Sequence, residues 1–106
     1  VANIKIPSRL KLLGQTILVK YVDSLNDEND ADGRAVYRKN VIEIQKNNGG
    51  ITRPTEMQEH TFLHELTHFI LNAMGESELR GNEKFVDVFS GLLHQALVTM
   101  EYDNGK

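Results

Sequence analysis

The hydrophobic period of this chain changes once, across "KNNGGITRP" at residues 46–54, and no other feature constrains its fold as strongly. Ahead of that stretch apolar residues alternate; behind it they recur about every 3.6 residues. In "QTILVKYVDSL", Ile17, Val19 and Tyr21 share one face of a strand predicted over 16–22. The stretch "RAVYRKNVIEIQ" reads as a hairpin with strands over 34–38 and 41–45, turning at Lys39-Asn40 because Asn tolerates a positive φ. Behind the switch, Thr55 with Gln58 three residues on is a capping-box signature, so a helix is expected to start near Glu56. Leu63, Leu66, Phe69, Ile70 and Ala73 form its apolar stripe, and Gly75 is its natural stop.

A second helix, starting at Ser77 or Asn82, carries Phe85, Val86, Phe89, Leu92, Leu93, Ala96 and Met100 at helical spacing. Strands first and helices afterwards predict an α+β fold. Its N-terminal antiparallel or mixed sheet has about three strands, and two packed helices follow. At 106 residues the expectation is one domain, spanning 1–106, with a single modest core.

The chain has no cysteine, which removes disulfides and thiolate chemistry, so a transition-metal site must be built from His and carboxylates. A formal charge of −3 without a Lys/Arg run gives no footprint for direct nucleic-acid binding. No stretch approaches the roughly 20 apolar residues of a membrane span, and "VANIKIPSRLKLLG" lacks a signal-peptide apolar region. The cytoplasm is the expected location. Between Asp23 and Gly33 lie five acids, with Glu28, Asp30 and Asp32 ahead of Gly33 at EF-hand-like spacing. The place where that loop needs a bidentate Glu is Lys39, so a solvated acidic loop is the reading.

"HTFLHELTHFI", residues 60–70, contains H-E-x-x-H. Residues i and i+4 share one helix face, so His64 and His68 can reach one metal ion, while Glu65 stands beside the ion rather than on it. There it can accept a proton from water and pass it to a leaving amine. His60 continues the stripe but lies about 12 Å from His68 along the axis, too far to share an ion, and reads as a solvated or supporting histidine. Catalytic zinc takes a third protein ligand.

In "NEKFVDVF", Glu83 and Asp87 are again i, i+4, and an antiparallel pair of helices turning near Gly75-Glu76 sets His68 opposite Glu83 and His64 opposite Asp87. Glu83 is the expected third ligand. Asp87 is expected to accept a hydrogen bond from a ligand imidazole. The competing reading for both acids is a solvated face, and Glu76 and Glu78 are rival carboxylates in the connection. The register works best if the second helix begins near Ser77, which would put Gly81 inside it at a cost of about 1 kcal/mol. His94 returns to the face of Glu83 about 16 Å further along and reads as a packing or surface histidine.

"HELTH" followed by "EKFVDVF" resembles the gluzincin branch of the zincin metallopeptidases, and more narrowly is similar to the small ImmA/IrrE-like domains of phages and mobile elements. That family carries H-E-x-x-H on one helix, then a Glu on the next with Asp or Asn four residues on and an aromatic after it. Glu83, Asp87 and Phe89 stand at those places, and the likeness spans about residues 56–95. It implies His64, His68 and Glu83 as Zn2+ ligands, Glu65 as base, and a short β-sheet ahead of the motif helix. Many members cleave or regulate a repressor and some carry a helix-turn-helix, which this sequence lacks.

The expected function is therefore zinc-dependent hydrolysis of peptide bonds by metal-activated water, with Glu65 as general base and a protein or peptide as substrate. For a phage-encoded protein the cytoplasm would be the host's. A hairpin strand could bind substrate backbone by β-addition. Tyr37, Arg80 and His94 are candidates for an extra oxyanion donor, each with a simpler packing role. The alternative is a metal-stabilised interaction module that binds a repressor or host protein with little or no catalysis.

Overall fold

The computed structural model describes residues 3–23, 25 and 32–103. Four strands form one sheet: β1 (Arg9–Leu12), β2 (Gln15–Val22), β3 (Gly33–Val36) and β4 (Val41–Gln45), in the order β1-β2-β4-β3. β4 runs parallel to β2 and antiparallel to β3, and β1 is antiparallel to β2, so the sheet is mixed. The α+β class is as expected, with one strand more than the sequence indicated. β1 is only four residues long. Its turn to β2 uses Leu13-Gly14, at φ of 51° and 77°, where Asn-Gly would have been the recognisable signal.

β3 and β4 pair as the hairpin reading expected, but β3 ends at Val36 rather than residue 38. Tyr37–Lys39 form a single 3-10 turn, and Asn40 takes the left-handed conformation at φ 53°. "KNNGGITRP" is more than a linker: β5 (Asn47–Asn48) pairs with β6 (Ile51–Thr52) across two left-handed glycines. Of the acidic loop, Glu28 and Asp30 lie outside the described residues.

Three helices follow: α1 (Thr55–Met74), α2 (Ser77–Arg80) and α3 (Glu83–Thr99). Thr55 does not cap α1. Pro54 is the capping residue, its ring holding φ near −56°, and its carbonyl accepts from Met57 and Gln58 N–H. Gln58 instead donates its side-chain amide to the Arg53 carbonyl at 2.8 Å. At the far end Gly75, at φ 77°, and the Glu76 N–H bonded to the Leu71 carbonyl close the helix in a left-handed cap, as expected. Both expected helix starts are used. Ser77 opens α2 and Asn82 caps α3 by accepting the Phe85 N–H at 3.0 Å, so Gly81 falls between them and costs no helix interior.

The core lies between the sheet face of Ile17, Val19, Ile42 and Ile44 and the α1 residues Phe62, Leu63 and Phe69. α3 packs on another side of α1 through Val86, Ser90 and Val98. Burial on α1 is therefore wider than one apolar stripe and includes Glu59, Thr61, Glu65, Thr67 and His68, whereas Ile70 is exposed. On α3 it is narrower than expected: Phe89 and Leu92 are exposed, as is Met100 just past its end, because that helix is covered on one side only among the described residues. The buried Arg53 ties sheet to helix, donating to the Gln45 carbonyl at 2.6 Å and to Thr61 Oγ1 at 2.9 Å.

Gly33 sets how closely β3 approaches α1. A Cβ there would stand 2.5 Å from Thr61 Cγ2, 3.0 Å from Glu65 Cγ and 3.1 Å from the Glu43 carbonyl oxygen. Bare backbone is what lets an edge strand lie against the helix at Glu65. Gly33→Ala should destabilise the fold by about 1–3 kcal/mol, the usual range for overpacking. The denaturation midpoint in urea reads it, and an unchanged midpoint would show that the strand yields freely.

Candidate metal centre

The left-handed turn at Gly75 sends α2 and α3 back along α1, and the numerical register expected from the sequence is met across the seam. Glu83 is the first residue of α3, where a carboxylate also meets the positive end of the helix dipole. Its Oε2 lies 3.1 Å from His68 Nε2 and its Oε1 3.0 Å from His64 Nε2, so both imidazoles aim the same nitrogen at one carboxylate. One turn on, Asp87 Oδ1 is 3.3 Å from His64 Nδ1, the ring nitrogen facing away from Glu83. The ligand atoms of His64, His68 and Glu83 all fall within 4.8 Å of one another, the one such group among the described residues. Tetrahedral zinc with bonds of about 2.0–2.2 Å spaces its ligand atoms by roughly 3.4 Å. The two His–Glu83 separations are within a few tenths of an ångström of that spacing, and two imidazoles with a carboxylate are a donor set that fits the ion.

Glu65 stands next to this group without joining it. Its side chain is 7% exposed, pressed between α1 and the backbone of Gly33. Its carboxyl is pushed up to about 7, chiefly by burial, with the His64 imidazole opposing and Glu83 adding to the rise. Burial holds the His68 imidazole below its ordinary range, against the pull of Glu83. The neutral ring is the form that ligates a metal. His68 Nδ1 is buried without a hydrogen bond of good geometry, although the Arg80 backbone is close enough to favour the protonated ring.

The group opens on a cavity of about 660 Å³. One wall is β3 with Gly33, Arg34 and Ala35; the other is α1 with His60, His64, Glu65 and His68. β3 pairs with β4 alone, so its outer edge is free of any strand among the described residues. Tyr37, in the turn after β3, also lines the cavity. Its ring sits 5.1 Å from Phe69 and has the Arg80 guanidinium 5.1 Å from its centroid. Burial raises the Tyr37 phenol above its ordinary range, Arg80 opposes this, and Glu65 and Glu83 reinforce it. The hydroxyl is thus held protonated within electrostatic reach of both carboxylates.

Of the three candidates for an extra donor, Tyr37 is brought to the site. Arg80 is occupied with Tyr37 and Asn72, and His94 is bonded to Glu59 at 2.7 Å. His60 is off the ligand group, as distance required, but faces Asp87 Oδ1 at 3.7 Å and Ser90 Oγ at 3.3 Å. Glu76 and Glu78 stay exposed and outside the group. Sequence reasoning missed Gly33, Glu59 and Ser90. Glu59 and Ser90 are fully buried, and a polar residue inside an apolar helix face was the available signal for both.

Comparison with known proteins finds no matching family model, no matching curated protein and no matching solved structure. The site therefore stands on its own chemistry.

The raised Glu65 carboxyl predicts a pH signature in the metal-free protein. An acid whose folded pKa exceeds its unfolded one penalises the folded state once ionised. The penalty begins above the ordinary value of 4.5, is complete above about 7, and vanishes at low pH. Glu65→Gln should therefore match wild type near pH 4 and exceed it at pH 8, by at most about 3 kcal/mol. Urea denaturation at the two pH values measures this; a pH-independent difference would contradict it.

Proposed function

We propose that this protein is a zinc-dependent metallopeptidase of the gluzincin type, similar to the ImmA/IrrE-like domains, acting in the cytoplasm on a protein or peptide. One observation carries the reading: His64 Nε2, His68 Nε2 and the Glu83 carboxylate converge on one point, with the buried Glu65 carboxyl alongside. No helix among the described residues is long and apolar enough to cross a membrane, which is compatible with a cytoplasmic substrate.

In this reading His64, His68 and Glu83 hold Zn2+, which supplies a Lewis acid for the scissile carbonyl and lowers the pKa of water. Glu65, with its carboxyl near 7, is poised both to take a proton from the attacking water and to return it to the leaving amine. Asp87 accepts from His64 Nδ1–H and so keeps the opposite nitrogen free for the ion. The Tyr37 hydroxyl donates to the carbonyl oxygen as negative charge develops there. The edge of β3 that pairs with no strand among the described residues runs along the cavity wall, where an extended substrate segment can add as a further strand.

Glu65→Gln should keep its zinc and lose about 10²- to 10⁴-fold in cleavage of a fluorescent casein. Glu83→Ala should lose the zinc altogether, while Asp87→Ala keeps a full equivalent at lower affinity, both read by metal analysis after dialysis. Wild type without casein cleavage, and with a biological effect that survives Glu65→Gln, would instead favour the interaction module. Its supporting observation is the shallow site, since the Glu83 and Asp87 side chains are 69% and 63% exposed. Tyr37→Phe should lower kcat by about 10²-fold with little change in KM. Equal kcat in the two proteins would remove Tyr37 from the reaction.

A further inference from the structure

Asp87 has little of its own to hold it. Its side chain is 63% exposed, yet its Oδ1 has an imidazole on each of two successive turns of α1, His64 at 3.3 Å and His60 at 3.7 Å. A carboxylate that fixes a ligand imidazole does so only as well as it is itself fixed.

Ser90 favours one placement of the His60 proton. It is fully buried, and its hydroxyl donates to the Asp87 backbone carbonyl at 3.2 Å, since a carbonyl can only accept. Both contacts are satisfied together when the one hydroxyl proton lies on the Asp87 carbonyl and Ser90 Oγ accepts from His60 Nε2–H, 3.3 Å away. In that tautomer the Nε2 proton also faces the Asp87 carboxylate, which can only accept, at 3.7 Å. The same residues are not a nucleophilic triad. Serine and aspartate meet the same ring nitrogen, and Ser90 has no exposed surface.

The His60 side chain is 38% exposed and has two further neighbours. It passes near Gly91, where a Cβ would stand in ordinary contact at 3.5 Å from Nε2. Its far side stacks on His94 at a centroid distance of 6.4 Å, and His94 is anchored to the buried Glu59 at 2.7 Å. An imidazole that meets a buried hydroxyl, a carboxylate and a second anchored ring has more partners than a solvated surface histidine needs.

We propose that His60, oriented by Ser90, is a positioning residue for the metal centre. It holds Asp87 where Asp87 accepts from His64 Nδ1–H, which keeps the His64 Nε2 lone pair on the point shared with His68 and Glu83. The proposal rests on the metal-centre reading above and extends it by one layer, from the carboxylate to what holds the carboxylate.

Zinc affinity by competition with a chromophoric chelator tests it, alongside the visible spectrum of the Co2+-loaded protein and the thermal stability of the metal-free form. His60→Phe keeps the ring and its stacking but removes the N–H. It should weaken zinc binding about tenfold, the lower end of what loss of a supporting partner costs a metal site. Asp87→Ala should weaken it at least as much. His60→Gln, which can return an N–H near the position of Nε2, should stay within about threefold of wild type and keep its cobalt spectrum. Ser90→Ala should fall between, and both His60 variants should melt like wild type when metal-free.

Wild-type affinity in His60→Phe beside weakened Asp87→Ala would overturn the positioning role while leaving the centre intact. Should His60→Phe prove unstable, the Gln and Ser90 variants decide: a tenfold loss in His60→Gln with none in Ser90→Ala would overturn it equally. A wild type that binds no zinc would overturn the metal-centre reading itself, and this proposal with it.

Discussion

Helix α1 buries ionisable groups along its middle, and the surroundings of the site supply most of what that burial demands. Glu59, Glu65 and His68 all lie in its covered surface. Removing such groups from water costs several kcal/mol each unless they are paired or kept neutral. Each group meets the demand differently. Glu59 is bonded to His94 through Oε1, with Oε2 unpartnered among the described residues; His68 faces Glu83; and Glu65, whose burial outweighs the pull of His64, holds its proton up to about neutral pH. α3 supplies the first two partners, so the arrangement that positions the site also justifies the burial.

The sheet's contribution is a wall. β3 is an edge strand, and Gly33 lets its backbone approach the stem of Glu65. This contact excludes water from one side of the carboxyl and leaves the cavity open on the other. Arg53, buried where the sheet meets the start of α1, fixes the angle between the two through bonds to the Gln45 carbonyl and Thr61. Desolvation of Glu65 is thus a property of the layer packing. No neighbour in sequence produces it.

Much of the fold was legible because its signals are local. The change of period, the left-handed Asn40 and Gly75, and the starts at Ser77 and Asn82 are each carried by a few adjacent residues. The misses have physical reasons as well. β1 is four residues long and turns through a leucine at positive φ, which no turn rule favours. Thr55 lost the cap to Pro54, whose fixed φ and free carbonyl start the helix one residue earlier. The outer face of α3 is as apolar as a buried one, so periodicity assigned Phe89 and Leu92 to a core that does not reach them.

For the site, sequence alone determined that His64 and His68 share a face, because helical geometry requires it of residues four apart. It also determined that a return from Gly75 would bring Glu83 and Asp87 level with them. Tertiary structure decided what those residues can do. It set both Nε2 atoms on one carboxylate, gave Asp87 the other nitrogen of His64, and raised Glu65 by burial against Gly33. It also turned His60 from a leftover of the histidine stripe into a neighbour of Ser90 and Asp87. Spacing along one helix is fixed by covalent geometry, whereas protonation and orientation depend on groups that only packing brings near.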